Sequence, residues 1–516
     1  MTRPLQIVIV GGGSAGWMCA AAMARFLHPA RYGVTLIESD EIGTVGVGEA
    51  TLPHIKTFND MLGINEAQFM RQTQATFKLG IEFRNWGRPG DRYIHPFGTF
   101  GERWRGVDFQ HHWLRARQAG QAVAPFQSYS YAIAACRDNA FEFPSQDGKS
   151  IRSTYAYAYH FDAGLYADFL RQWALARGVR RIEGQVGDVA LDAQSGNIAA
   201  LTLKAGAKIE GDFFVDCTGF RSLLLGNTLD VKWEDWSQWL PCDRALAVPC
   251  ERSGELTPYT RSTAQAAGWI WRIPLQHRTG NGYVFCSRFI NEERARDTLL
   301  GALDGPARAE PKLLRFSAGR RVQAWKRNCV AIGLASGFLE PLESTSIFLI
   351  QAAVVDLLRL MPSPEHGTGV DPRLSAEFNR LTDIQYERVR DFLILHYFAN
   401  GRHGEALWDH VRTMPIPDSL KHKIRLFEAR GHVPYYKDGL FSRDSWLAVL
   451  FGQGLMPQAY DRLADCVSPQ NLEVRLRDLH ERIHSHVSAM SSHSDFVARY
   501  CAEPSRAATQ AGAALT

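Results

Sequence analysis

The chain has 516 residues, 45% of them hydrophobic, and its 58 Lys and Arg nearly balance its 54 Asp and Glu to leave a formal net charge of +4. That length can bury a large core, in two domains or in one with insertions. The charge balance, with no dense Lys/Arg run interleaved with aromatics, argues against nucleic acid or another acidic polymer as partner.

The chain opens on the apolar run Leu5-Gln6-Ile7-Val8-Ile9-Val10, a buried strand by its pattern, which ends in Gly11-Gly12-Gly13-Ser14-Ala15-Gly16. Gly11 permits a tight turn, Gly13 lets backbone approach a pyrophosphate, and Gly16 lets the following helix sit close to the strand. That helix, Trp17 to about Leu27, aims its first amides at the phosphates. A second strand, Val34 to Ile37, ends in Glu38, where a ribose-binding acid belongs. Gly43-Thr44-Val45-Gly46-Val47-Gly48-Glu49-Ala50-Thr51 is too irregular for a helix and reads as a functional loop beside the nucleotide.

Lys78 lies among apolar neighbours in Phe77-Lys78-Leu79-Gly80-Ile81, either as a snorkelling surface residue or as a desolvated ammonium in a channel. From Lys78 to about Ser145 the sequence predicts a large insertion of loops and short helices. A helix capped by Asp162 follows, marked by Leu165, Phe169, Trp173 and Leu175; then come a strand from Ile182 to Val189 and a hairpin at Ser195-Gly196-Asn197. Asp212 to Asp216 is a strand returning to the nucleotide fold at Cys217-Thr218-Gly219. A second sheet is expected over roughly residues 240 to 325. Within it, Trp269 and Trp271 of Gly268-Trp269-Ile270-Trp271-Arg272-Ile273-Pro274 share one face of an extended segment and make a flat indole wall, or simply pack in the sheet core.

Cys329 to Ile332 forms another core strand. The loop Gly333 to Ser346 then launches an apolar helix running from Ile347 to Met361, so the free amides of Thr345 and Ser346 suit a small anion, with the acidic Glu343 set just outside. Asp371 caps a long helix with Pro372 at its first position, its face marked by Leu374, Phe378, Leu381, Val389, Phe392 and His396. Residues 505 to 516, rich in Ala, Gly and Ser, read as a frayed tail. Nine cysteines without a CxxC pair fit reduced, buried thiols better than disulfides or zinc, so no metal is expected. The first strand begins almost at Met1, and Gln351, Asp356 and Arg359 interrupt the most apolar helix, which suggests a soluble cytoplasmic protein with no signal peptide or membrane partner. With a single dinucleotide fingerprint, the reducing equivalents are expected from outside the chain.

Taken together, GGGSAGW at Gly11 to Trp17, GVGEAT at Gly46 to Thr51, Lys78 in KLGI, WIWRIP at Trp269 to Pro274 and FLEPLEST at Phe338 to Thr345 resemble the flavin-dependent halogenases of the tryptophan halogenase family. The resemblance implies an α/β fold: a Rossmann-like FAD-binding fold with an added β-sheet over residues 1–365, whose loop-rich insertion at about 80–150 contributes to the substrate site. A mainly α-helical substrate region over 366–505 and a tail at 506–516 complete it.

It further implies that FAD, reduced by a separate flavin reductase, is held by Gly11, Gly13, Ser14, Ala15, Gly16, Glu38, Val47, Glu49, Ala50, Val186, Leu334 and Ile347. Chloride or bromide would sit on the amides of Thr345 and Ser346, and hypohalous acid made from halide and O2 beside Trp269 and Trp271 would travel through a tunnel to Lys78. There Lys78 donates a hydrogen bond to the acid or becomes a haloamine, and Glu343 polarises the reagent or takes the proton from the arenium ion. His95 and Phe97 match the segment that stacks on an indole, Trp446 would supply the other face, and Tyr435-Tyr436 resembles the pair that holds an amino-acid end.

Two positions depart from the family pattern. Ser346 stands where many members carry Gly, and Ser442 stands where an acid would bind the ammonium of tryptophan, so indole or a substituted indole is expected to be processed at least as well as tryptophan. A homodimer is left open. The rival readings are a flavin-dependent aromatic monooxygenase, which needs an open path where Trp269 and Trp271 stand, and a non-catalytic FAD-binding protein.

Overall fold

Leu5–Val10 pairs in parallel with Phe213–Asp216 on one side and Tyr32–Glu38 on the other, which explains why its residues are apolar on both faces. The computed structural model describes residues 3–41, 48–366, 370–436 and 439–502. The sheet is six-stranded, in the order Trp325–Lys326, Cys329–Ala331, Phe213–Asp216, Leu5–Val10, Tyr32–Glu38, Arg180–Glu183. Only its first pair is antiparallel. Val10, Glu38 and Asp216 therefore end at one edge, where open parallel sheets take their ligands.

A seven-stranded sheet follows, in the order Lys312–Arg315, Arg244–Cys250, Thr279–Phe285, Gly268–Pro274, Tyr259–Gln265, Gly80–Arg84, Arg92–Pro96. Its last two strands come from the stretch expected to be loops and short helices. Tyr259–Gln265 recruits Gly80–Arg84 in parallel, burying Ile81 and Phe83, a pairing that local pattern cannot reveal. The single strand expected from Ile182 to Val189 is two, Arg180–Glu183 and Val186–Leu191, in different sheets. Gly184, at φ +155°, separates them.

The helix Ala163–Leu175 is capped by Asp162, which accepts from the amides of Gly164 and Leu165. Its buried face is Tyr166, Phe169 and Leu170, whereas Leu165 and Leu175 face solvent. The apolar helix begins one residue early and spans Ser346–Arg359. Pro372–Phe398 starts on the Asp371 cap, and Phe378, Val389, Phe392 and His396 are buried along it. One hydrophobic cluster runs from Leu5 through both large sheets to Val497 in the C-terminal helices. The fold is the α/β arrangement expected, a parallel nucleotide sheet with an added sheet and a helical C-terminal part. No helix among the described residues is long and apolar enough to cross a membrane.

Candidate active site

The glycine turn makes room by lacking side chains. Gly11 has φ +114°, and a Cβ there would meet the Cys217 carbonyl oxygen at 2.2 Å; a Cβ at Gly16 would meet the Gly11 carbonyl oxygen at 1.8 Å. At Gly13 a Cβ would meet nothing within 4 Å, because that side opens into a cavity of about 600 Å³. Gly11, Gly13, Ser14, Ala15, Glu38, Glu49, Ala50, Val186, Leu334 and Ile347 all line this cavity. Gly16 serves packing instead, and Val47 lies outside the described residues. A backbone cradle at the carboxyl edge of a parallel sheet, opening at Gly13, fits the pyrophosphate of a dinucleotide such as FAD. The Glu38 carboxylate accepts from Trp17 Nε1 (3.1 Å) and Arg181 Nε (2.6 Å), so any ribose hydroxyl would share it. Burial raises the Glu49 carboxyl to about 7.

Trp269 and Trp271 line the same cavity, their ring centroids 6.2 Å apart. Trp271 lies over Gly282, where a Cβ would strike its ring at 2.0 Å. Trp269 Nε1 faces two acceptors, Glu340 Oε2 at 3.2 Å and the Tyr397 hydroxyl at 3.1 Å, and that hydroxyl in turn donates to Glu340. Burial raises the Glu340 carboxyl to about 7, against the hydrogen bonds from Tyr397 and Trp269. The wall is thus anchored at one indole. The Trp271 N–H has no partner among the described residues.

Lys78, at the end of Thr76–Lys78, is fully buried. Its Nζ donates to the Thr51 carbonyl (3.0 Å) and Ser344 Oγ (2.8 Å) and lies 5.1 Å from the Phe97 ring centroid. Burial lowers the ammonium to about 7, while the nearby Glu343 carboxylate pulls it up. Glu343 and Ser344 line the cavity, so Lys78 reaches the cavity wall through Ser344. Both residues are left-handed, at φ 66° and 59°, which turns the chain sharply just before the helix Ser346–Arg359.

Glu343 Oε2 accepts from His95 Nδ1 (2.6 Å) and Oε1 from His396 Nε2 (2.7 Å). Burial would raise this carboxyl, but the His95 charge and the two imidazole hydrogen bonds prevail and hold it at about 2. Thr345 is the N-cap residue, yet its hydroxyl caps nothing and is buried without a partner among the described residues. An ordinary Thr cap therefore does not account for this residue. Ser346 lines the cavity.

The expected substrate contacts are less open. His95 is turned to Glu343, and Phe97 sits beside Lys78. One face of Trp446 carries the Lys423 ammonium, 3.5 Å from the ring centroid. Ser442 caps the helix Arg443–Gly452 through the Ser445 amide, and Tyr435 is 83% exposed. Sequence reasoning gave no role to Ser344, His396, Glu340 or Tyr397; Glu340 and Ser344 lie inside the FLEPLEST run, and His396 was legible only as one residue of a helix face. Among the described residues no group of His, Cys, Asp or Glu could hold a metal ion.

The tryptophan halogenase family profile matches residues 6–469. The tryptophan 6-halogenase SttH of Streptomyces toxytricini is 37% identical over 509 residues, covering 92% of this chain and 95% of that one. Among solved structures, a flavin-dependent halogenase from Xanthomonas campestris superposes with a TM-score of 0.93 at 46% identity, covering 97% of this chain and 99% of the other. BrvH, a flavin-dependent halogenase from Brevundimonas sp. BAL3, gives 0.92 at 44% identity, over 97% and 100%. The chain belongs to the tryptophan halogenase family of flavin-dependent halogenases.

Proposed function

We propose that this enzyme takes FAD reduced by a separate flavin reductase, O2 and chloride or bromide, makes hypohalous acid, and halogenates an electron-rich aromatic: indole, an indole derivative or tryptophan. The observation that carries this reading is that Lys78 and Glu343, far apart in sequence, are buried together around Ser344, while Glu343, Ser344, Trp269 and Trp271 line one cavity. A monooxygenase would need substrate at the flavin edge, where these indoles stand, and a non-catalytic flavoprotein has no use for two buried, oppositely charged groups. On this reading residues 1–365 bind the flavin and 366–505 cover the substrate, with about 80–150 contributing.

Gly11, Gly13, Ser14 and Ala15 hold the pyrophosphate of FAD, with Gly16 allowing the helix its close approach; Glu38, Glu49, Ala50, Val186, Leu334 and Ile347 surround the remainder. Reduced FAD supplies the electrons that activate O2 for halide oxidation. The amides of Thr345 and Ser346, at the start of the helix Ser346–Arg359, hold the halide. Two of the three Lys78 N–H bonds are committed to Thr51 and Ser344, which leaves one to donate to hypohalous acid and draw electron density from the halogen. Held at about 2, Glu343 stays ionised and stabilises positive charge on the polarised halogen and on the ring, and because an arenium ion is a far stronger acid it can still take the proton the ring releases. The free cysteines and the dependence on a reductase suit the cytoplasm.

The test supplies FAD, a flavin reductase, NADH and chloride or bromide to an indole panel and reads products by mass spectrometry. A monohalogenated product with the matching isotope pattern is expected. Hydroxylated product, or flavin oxidation with no halogenated product from any indole, would overturn the reading.

A further inference from the structure

Two cations in the C-terminal half have no hydrogen-bonded or ion-paired counterion among the described residues. Lys423, on the helix Asp418–Arg430, is 4% exposed, and its Nζ lies 3.5 Å from the Trp446 ring centroid and 4.3 Å from that of Tyr436. The Arg388 guanidinium stacks 3.7 Å from Tyr436. Neither side chain has a hydrogen bond or ion pair among the described residues. The nearby acids are already engaged: Asp391 accepts from Arg390 (2.8 Å) and Ser419, and Asp444 accepts from the Phe100 amide (3.1 Å) and Arg443 (3.1 Å). Burial first, and then the neighbouring Arg388, lower the Lys423 ammonium to about 7, against a smaller pull upward from Asp391. Aromatic faces recover only part of the cost of a buried ammonium.

Packed aromatic rings link this pair to the reacting groups. Trp446 meets Phe392 edge-on at 5.0 Å, and Phe392 meets His396 at 5.0 Å and His95 at 5.6 Å, the two imidazoles that hold Glu343. An aromatic path therefore runs from Glu343 to Lys423. Resting on the halogenase reading above, we propose that Lys423 and Arg388 form an anion subsite, so that the substrate is an aromatic whose side chain carries a carboxylate and no ammonium. A carboxylate would neutralise two like charges at once. An ammonium would add a third positive charge to the same place, and tryptophan brings both.

Wild-type protein is compared on indole, indole-3-propionate and tryptamine, by kcat/KM and by equilibrium binding read from tryptophan fluorescence. Indole-3-propionate should exceed indole about tenfold and tryptamine should fall below it. In Lys423→Met the propionate-to-indole ratio should drop about tenfold, and Lys423→Arg should restore it. Because the readout is a ratio within one variant, a general loss of folded protein does not mimic the effect. Tryptamine binding as tightly as indole-3-propionate, or a ratio unmoved in a folded Lys423→Met, would overturn the subsite. If the wild type halogenates no indole, the halogenase reading fails instead, and the binding titration still decides the subsite.

Discussion

Around Gly13 the cavity is bounded by backbone from which side chains have been withheld, whereas around Lys78 the side chains of Ser344, Glu343, His95 and His396 form a buried chain of contacts. The first region makes space and offers amide dipoles, so its tolerance is steric. The second stores opposite charges in a buried interior, where each group sets its neighbour's proton affinity, so its tolerance is electrostatic. The two should therefore fail differently.

The sharpest break is Lys78→Met. Product formation should fall by about 10³-fold or more, while NADH-driven flavin oxidation, followed as oxygen uptake, continues. The same residue has a stability signature. In the unfolded chain it stays protonated to about 10.5, but in the folded protein it releases its proton near 7. The unfolded state thus binds more protons between those values, and stability should climb with pH through that window by at most about 1.4 kcal/mol per unit. Melting curves of Lys78→Met should show a shallower climb, the remainder coming from Lys423, which burial also lowers to about 7. Turnover of the wild type should fall as pH rises through about 7, since the donating form is the ammonium; turnover that rises instead would favour the haloamine route.

The glycine turn separates space from packing. Gly13→Ala should leave the Tm of the flavin-free protein almost unchanged and weaken FAD binding about tenfold, because only the cofactor meets the new methyl. Gly16→Ala should lower that Tm outright, since its Cβ would collide with the Gly11 carbonyl. Equal effects of the two on Tm would refute the division.

The smallest effect is expected where the regions meet. Glu340→Leu removes the carboxylate that anchors Trp269 Nε1, leaving only Tyr397. Halogenated product per flavin oxidised should drop by about threefold, with Glu340→Gln close to wild type because an amide oxygen still accepts. An unchanged ratio in Glu340→Leu would show that the wall stands without its anchor.

What could be read in advance follows the same contrast. The turn and its flanking strands were legible because strand, glycine spacing and Glu38 lie within one short βαβ unit, and Trp269 and Trp271 because strand alternation dictates a shared face. The partners of Glu343 were not, since His95 sits on a sheet strand and His396 on a long helix, and only tertiary packing joins them. The strands Gly80–Arg84 and Arg92–Pro96 escaped for the same reason: their place in the sheet depends on Tyr259–Gln265. Lys423 carries no local signal at all, because an ammonium between two rings looks, in sequence, like any helix lysine.

Glu343 and Ser344 occupy left-handed backbone in succession, a conformation that costs a side-chain-bearing residue of order 1 kcal/mol or more. Glycine at either position would relax the turn, but it would strip His95 and His396, or Lys78, of a buried partner. The strain is therefore tied to the charge network it serves, and a descendant freed from halogen chemistry would have to lose that network before glycine could settle at these sites.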